Sequence, residues 1–194
     1  MIVLASKSAS RQAMLTAAGV PFRAQPAHVD ERAIEATLGN APPAEVALAL
    51  ARAKGEVVSR ETSGELVLGS DSLVSCEGRR FDKPASREDA AAHLRFFSGK
   101  VMELHSAAAL VRDGEVLWAQ GALAQLHVAP LSDAFIERYL DAEWPEVAAC
   151  VGVFRIEGRG VQLFERIEGD YFTILGMPLL KVQAGLRQLG VMAS

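Results

Sequence analysis

The sequence predicts an α/β protein with a mixed, twisted sheet flanked by helices, and three observations support this fold class. Residues 66–69 carry no polar side chain, and such a short apolar run is typical of a strand buried on both faces. Segments of helical periodicity alternate with strand-like runs along the chain. Two long strand-rich segments, 101–112 and 115–128, are joined by Asp113-Gly114, which is a strong hairpin signal.

The first half of the chain contains signals for both strands and helices. The expected elements are a strand over 2–5, a helix over 11–18, an extended segment from Pro21, a helix opening at Pro42-Pro43, a buried strand to Asp71 and a short strand with a turn over 73–80. Gly19 favours the end of the first helix. The two prolines suit the first turn of the second helix.

The second half continues the alternation. The expected elements are a helix over 86–97, the hairpin strands 101–112 and 115–128, a helix over 132–143, a strand over 161–167 and a last helix from Pro178. Ser86 with Asp89 resembles a capping box. Because no internal repeat or flexible linker interrupts the pattern, we expect one domain over residues 1–194.

Composition limits the classes of function. The chain has 194 residues and a net charge of −4, and it contains no basic tract, so a broad nucleic-acid interface is not expected. No run approaches 18 apolar residues, which argues against a membrane span. Cys76 and Cys150 show no metal-binding spacing and are expected to be reduced thiols. We therefore expect a cytoplasmic protein that binds neither nucleic acid nor membrane.

Asp71 is the strongest single candidate for chemistry. It follows the buried apolar run, at the position where open α/β sheets carry their ligand sites. Its functional roles would be metal ligand or general base, and the alternative is a capping residue of the next turn. Asp30 and Glu31 form an acidic pair that we expect on a loop. Since magnesium bound together with substrate phosphates needs only one or two carboxylates, Glu31 and Asp71 could suffice.

Serine hydroxyls and separated cations form a second group of candidates. Ser6 and Ser8 lie between a strand and a helix start, where free backbone N–H groups favour an anion, and Arg11 follows one turn later. Lys54 lies on the second expected helix, and the backbone of Lys83 is restricted by the next residue, a proline. The alternatives are helix capping by the serines and solvated surface cations.

These segments together resemble one known family. The matching pieces, in order, are residues 4–11, 29–31, 51–54, 69–71, 83–84, 98–99, 152–158, 168–170 and 176–179. Their order and spacing resemble the Maf family of nucleoside triphosphate pyrophosphatases over nearly the whole chain. The resemblance implies two lobes with a central cleft, and often a homodimer.

The family's activity is cleavage of a nucleoside triphosphate between the α- and β-phosphates, which implies a divalent cation, magnesium or manganese, as cofactor. By resemblance, Asp71 is the proton acceptor and Glu31 lies near the metal. The remaining implied contacts are those to the phosphates, made by Ser6, Ser8, Arg11, Lys54 and Lys83.

Three positions imply substrate choice within the family: Ser10, Ser72 and Glu157. With Glu157, residues 154–158 resemble the branch that acts on N7-methylguanosine triphosphate. A carboxylate can accept hydrogen bonds from the two adjacent N–H donors of guanine. Ser10 stands where that branch has a tryptophan, and Ser72 stands where it often has a larger polar residue. The alternatives are a dTTP/UTP or CTP pyrophosphatase of the same family and a non-catalytic regulator of septum formation.

Overall fold

The computed structural model describes residues 1–193 and contains a seven-stranded sheet with helices. The strands are β1 (Ile2–Leu4), β2 (Phe22–Ala24), β3 (Val67–Cys76), β4 (Arg79–Phe81), β5 (Val101–Arg112), β6 (Glu115–Val128) and β7 (Phe164–Glu168). The helices are α1 (Ala9–Ala17), α2 (Glu31–Leu38), α3 (Pro43–Glu61), α4 (Arg87–Phe97), α5 (Asp133–Glu143), α6 (Tyr171–Ile174) and α7 (Leu179–Gln188). Short 3-10 turns cover Glu146–Ala149 and Arg159–Leu163.

The sheet is mixed, as predicted. Its strand order is β2-β1-β3-β5-β6-β7, and β4 pairs with β3 outside this path. Strand β1 is parallel to both β2 and β3. The β3–β4 and β6–β7 pairs are antiparallel. Both expected tight turns are present, because Glu77-Gly78 and Asp113-Gly114 have positive φ at both residues, the conformation of a two-residue type I′ hairpin.

The chain divides into two compact units, in agreement with the two lobes implied by the family resemblance. The first unit comprises residues 1–72, 105–122 and 170 onwards, and the second comprises 73–104 and 123–169. Among residues 1–193, none of the helices combines the length and apolarity that a bilayer span needs.

The first unit buries both faces of β1 and of the start of β3, which confirms the prediction from the apolar run. On one face, Leu4 and Leu68 belong to a large apolar cluster. On the other face, Val3 and Val67 pack with Val58 of α3. The large cluster consists of Ile2, Leu4, Met14, Leu15, Val20, Leu66, Leu68, Ala108, Leu110, Trp118, Met177, Leu179, Val182 and Leu186.

The second unit is organised by packing between α4 and α5. Arg87 on α4 forms ion pairs with Glu137 (2.7 Å) and Asp141 (2.6 Å) of α5. Under α4, the rings of Phe81 and Phe97 stack edge to face with their centroids 4.6 Å apart. The ion pairs thus join α4 to α5 within the second unit.

Three local expectations were wrong. Strand β3 does not end at Asp71 but continues to Cys76, because its pairing with β4 begins at Val74 after its pairing with β1 ends at Leu68. Glu31 lies in the first turn of α2 rather than on a loop. The strand expected over 161–167 begins only at Phe164, since a 3-10 turn precedes it.

Candidate active site

A close contact between α3 and β3 places the central residues of the site. Gly69 lies against the backbone of α3, where a Cβ atom would overlap the Ala51 carbonyl oxygen and come within 2.6 Å of the Gly55 nitrogen. Side chains two residues apart on a strand share a face. Asp71 therefore points to the same side as Gly69, toward the helix that carries Lys54.

Lys54 joins two carboxylates. Its Nζ atom lies 2.5 Å from Asp71 Oδ1 and 2.8 Å from Glu31 Oε1. The side chains of Lys54 and Asp71 are only 12% and 9% exposed, whereas that of Glu31 is 48% exposed. Because little water screens it, the Lys54–Asp71 pair is stronger than a surface ion pair. The structure thus brings together three of the candidate residues, Glu31, Lys54 and Asp71, which we call the Lys54 group.

Helix α2 carries the third member of this group. Asp30 is its N-cap and accepts a hydrogen bond from Ala33 N (3.0 Å). The acidic pair is therefore divided, because Asp30 caps the helix and Glu31 contacts Lys54. An N-cap aspartate before a helical segment is a recognisable signal, and it could have predicted α2 from the sequence.

The turn after β1 packs around the Arg11 side chain. Ser6 Oγ accepts hydrogen bonds from Ser8 N (3.1 Å) and from Arg11 Nη1 (3.3 Å). Ser8 is the N-cap of α1, and its Oγ lies 3.0 Å from Ser10 Oγ. Ser8 is therefore a helix cap, as one of the two interpretations expected, and Ser6 contacts the Arg11 guanidinium.

Arg11 is buried and connects distant parts of the first unit. Its Nε donates to the Gly176 carbonyl oxygen (2.9 Å), and its Nη2 donates to Ser72 Oγ (3.3 Å). Burial lowers the pKa of the Arg11 guanidinium, while the negative charges of Asp71 and Glu31 act in the opposite direction. These charges place Arg11 in the electrostatic field of the Lys54 group.

Residues 170–176 contact the start of α1. Asp170 caps α6 by accepting hydrogen bonds from Phe172 N and Thr173 N, both 3.0 Å. Ser10 Oγ donates to the Leu175 carbonyl oxygen (3.2 Å). The contact between Ser10 and Leu175 joins residues far apart in the chain, so no local sequence pattern reveals it.

The structure places Lys83 and Glu157 in the second unit, and both side chains are exposed. Burial raises the pKa of the nearby Cys150 thiol, the charge of Glu157 raises it further, and Lys83 opposes this effect. Lys83 and Glu157 therefore lie within electrostatic range of the same thiol.

The donor set for a divalent cation is small. Residues 1–193 contain no cluster of three or more His, Cys, Asp or Glu side chains arranged around a metal position. Glu31 and Asp71 offer two carboxylates that are already held near one cation, the Lys54 ammonium. Such a pair fits a hard cation that takes its remaining ligands from substrate phosphates and water.

Comparison with known proteins gives matches along the whole chain. A 7-methyl-GTP pyrophosphatase of Rhizobium meliloti is 48% identical over 192 residues, which cover 98% of this chain and 96% of the relative. A nucleoside triphosphate pyrophosphatase of Nitrobacter winogradskyi is 45% identical over 96% of this chain and 92% of the relative. A solved nucleoside-triphosphatase / dITP/XTP pyrophosphatase of Mycobacterium abscessus aligns with 98% of this chain and 95% of its own, at 16% identity and a TM-score of 0.44.

The profile of the family described as Maf-like protein matches residues 1–189. That match includes every residue of the Lys54 group, the turn and helix start over residues 6–11, and the segment around Glu157. The chain therefore belongs to the Maf family.

Proposed function

We propose that this protein is a nucleoside triphosphate pyrophosphatase that hydrolyses N7-methyl-GTP. The observation that carries the activity is the contact of Lys54 with both Asp71 and Glu31, in the electrostatic field of Arg11. Cations and carboxylates in this arrangement suit a reaction that moves negative charge between phosphate oxygens. The family match over residues 1–189 supports treating the chain as one enzyme.

In the proposed reaction, Asp71 takes a proton from the attacking water. Water adds across the anhydride, the bond between the α- and β-phosphates breaks, and the products are the nucleoside monophosphate and pyrophosphate. General base catalysis of this kind contributes roughly 100- to 10,000-fold to the rate.

The cationic and hydroxyl groups bind the phosphates in this proposal. Arg11 keeps its charge at neutral pH despite burial, because guanidinium does not deprotonate in that range. Lys54 and Lys83 supply two further positive charges. Ser6 and Ser8 lie in the turn that precedes α1. Together they orient the triphosphate and offset its charge.

Magnesium or manganese is the proposed cofactor, held by Glu31 and Asp71. When bound, a divalent cation polarises phosphate oxygens and neutralises charge on the leaving group. Lys54 offsets part of the negative charge of these two carboxylates, which without a cation would repel a triphosphate.

Glu157 is the proposed determinant of base choice. Guanine presents two adjacent N–H donors that one carboxylate can accept, whereas uracil and thymine present a donor between two carbonyls. Ser10 and Ser72 are the other two specificity positions, and in this structure their hydroxyls contact Leu175 and Arg11. The name of the Rhizobium meliloti relative supports N7-methylguanine as the base.

A triphosphate panel tests the substrate. The protein is incubated with magnesium or manganese and with N7-methyl-GTP, GTP, CTP, UTP or dTTP, and pyrophosphate release is measured. We expect N7-methyl-GTP to have the highest kcat/KM, and Glu157→Gln to reduce its advantage over UTP by about 10- to 100-fold, corresponding to about 1–3 kcal/mol.

Preference of the unchanged protein for UTP, dTTP or CTP would reject the assignment of Glu157 while leaving the enzyme class intact. Absence of turnover with every triphosphate and both metals would instead favour the regulator of septum formation.

Assembly and location belong to the same proposal. We infer a homodimer, as the family resemblance implies, and sedimentation of a 20.7 kDa monomer would contradict it. We also place the protein in the cytoplasm, where Cys76 and Cys150, which form no disulfide in the structure, would stay reduced. Cell fractionation tests this location.

A further inference from the structure

We propose that α5 is a positioning element for Glu157, because two of its side chains hold the segment 153–158 at two separate points. The two side chains are Tyr139 and Glu143. The inference rests on the proposed function, in which Glu157 contacts the base, and it adds the residues that set where Glu157 lies.

The first point is an ion pair between Glu143 and Arg155. Glu143 is only 3% exposed, and its Oε2 accepts hydrogen bonds from Arg155 Nε (3.1 Å) and Nη2 (2.8 Å). A buried carboxylate without a partner is strongly unfavourable. The Arg155 side chain is therefore anchored to α5.

The backbone of Arg155 forms the base of the turn that presents Glu157. Its carbonyl oxygen accepts a hydrogen bond from Gly158 N (3.1 Å), which makes Glu157 the third residue of a four-residue turn. Gly160 packs against the backbone of Arg155, since a Cβ atom on Gly160 would lie 2.5 Å from Arg155 O and 2.7 Å from Arg155 N. Fixing Arg155 thus fixes the frame of the turn.

The second point is a hydrogen bond from Tyr139 to Val153. The buried Tyr139 hydroxyl donates to the Val153 carbonyl oxygen (2.9 Å). Val153 has φ of +59° and is fully buried. A β-branched residue rarely adopts this conformation, which costs free energy and persists only where surrounding contacts enforce it. Tyr139 is one of those contacts.

Tyr139 and Glu143 are four residues apart, so they lie on one face of α5, one turn from each other. A single rigid helix therefore fixes both contacts, and binding groups supported in this way are held more accurately than groups on unsupported loops. One helical turn, from Tyr139 to Glu143, thus faces two residues of the loop, Val153 and Arg155.

The Glu143–Arg155 pair has an electrostatic consequence for base recognition. The hydrogen bond to Glu143 is the main cause that raises the pKa of Arg155, and the charge of Glu157 makes a smaller contribution in the same direction, so Arg155 and Glu157 are within electrostatic range of each other. While Glu143 holds the guanidinium, the Glu157 carboxylate stays available to the base. Without Glu143, Arg155 can turn to Glu157 and neutralise it.

Tyr139→Phe and Glu143→Gln test the proposal, because each removes one contact and keeps the shape of the side chain. The readout is the ratio of kcat/KM for N7-methyl-GTP to kcat/KM for UTP. We expect either variant to lower this ratio about tenfold through misplacement of Glu157, with a larger change in KM than in kcat. In a Glu157→Gln background, neither change should lower the ratio further, because coupled residues are not additive.

Asp141→Asn is the matched control, because Asp141 lies on α5 like Tyr139 and Glu143 but pairs with Arg87 of α4. The Asp141 side chain is exposed, so this ion pair contributes little to the position of α5, and Arg87 keeps its partner Glu137. Asp141→Asn should leave the ratio unchanged. An unchanged ratio in folded Tyr139→Phe and Glu143→Gln would overturn the positioning role, as would an equal loss in the Glu157→Gln background.

Amide hydrogen exchange separates this inference from the proposed function. We expect the amide of Gly158 to exchange at least about tenfold faster in Glu143→Gln than in the unchanged protein or Asp141→Asn, because its turn loses support. Unchanged exchange would overturn the inference whatever the nucleotide preference. Faster exchange in a protein without preference for N7-methyl-GTP would reject only the proposed substrate.

Discussion

At the scale of single residues, the central feature is the position of Lys54 between two carboxylates. Asp71 is nearly buried and Glu31 is half exposed, yet both contact the same ammonium group. The three side chains together carry a formal charge of −1, so they repel a triphosphate less than the two carboxylates without Lys54 would. Each residue is therefore expected to contribute differently to binding and to rate.

Asp71→Asn is the direct test of the proton acceptor. We expect kcat for N7-methyl-GTP to fall by about 100- to 10,000-fold, because the amide cannot take the proton, while the structure tolerates an amide of the same shape. Steady-state kinetics at saturating magnesium measure this loss, and circular dichroism checks the fold.

Asp133→Asn provides the comparison for Asp71→Asn. It also removes one carboxylate from a cation, Arg95, but at an exposed position of the second unit. Its activity should equal that of the unchanged protein. An Asp71→Asn protein with full turnover would remove Asp71 from the mechanism.

At the scale of elements, the approach of α3 to β3 is set by glycines. Gly69 leaves no room for a Cβ atom against the backbone of α3, and a Cβ atom on Gly55 would lie 2.6 Å from the Val111 side chain of β5. This approach places Lys54 beside Asp71, so packing of a helix on a strand determines the geometry of the proposed active site.

Gly69→Ala should therefore affect both stability and activity. The added methyl group overlaps backbone atoms, which cannot move aside as a flexible side chain can, so we expect a loss of about 1–3 kcal/mol in the free energy of unfolding. Activity should fall as well, because α3 and Lys54 shift from β3. Urea unfolding and pyrophosphate release measure the two effects.

Gly121→Ala is the control for this substitution, since its Cβ atom would meet only the Ser106 carbonyl oxygen, at 3.7 Å. It should change the free energy of unfolding by less than about 1 kcal/mol. Equal stabilities of the two variants would show that the α3–β3 contact relaxes without cost.

The elements show which parts of the fold a sequence can predict. Residues 66–69 and Asp113-Gly114 predicted a buried strand and a hairpin correctly, because burial and turn conformation depend on local residue types. The end of β3 was predicted wrongly, since a strand continues when a new neighbour, here β4, pairs with it. Helix α2 was missed because its N-cap, Asp30, was interpreted as part of an acidic loop.

At the scale of the whole molecule, one buried histidine links stability to pH. His93 is enclosed by Phe81 and Phe97, and its Nδ1 has no hydrogen-bond partner among residues 1–193. Burial lowers its pKa, and this effect exceeds the opposing charge of Asp89. The unfolded chain, with an ordinary histidine pKa of about 6.5, therefore binds the proton first as the pH falls.

The free energy of unfolding should accordingly decrease as the pH falls through about 6.5 toward the lower pKa of folded His93. His93→Phe keeps a ring in the cluster but cannot be protonated, so its stability should decrease less between pH 7.5 and pH 5.5. Urea unfolding at both pH values measures the difference. His28→Gln, at an exposed position, should behave as the unchanged protein, and equal pH dependence in all three would contradict the role of His93.

The site as a whole was only partly predictable. The residue types and the family resemblance identified Asp71, Lys54 and Glu31, and the fold brings these three side chains together. The contact of Arg11 with Gly176 spans 165 residues, and the contacts of α5 with residues 153–155 depend on side-chain orientation. No local pattern contains that information.

The separation of Glu157 from the Lys54 group has an evolutionary consequence. The proposed proton acceptor Asp71 and its neighbours Lys54 and Glu31 belong to the first unit. Glu157, like Lys83, belongs to the second unit, where it lies on a turn supported by α5 and Gly160. On the proposed role of Glu157, we expect single substitutions in that turn to change the accepted nucleobase while the hydrolytic residues remain intact. A lineage with this fold would then acquire a new substrate without passing through an inactive ancestor.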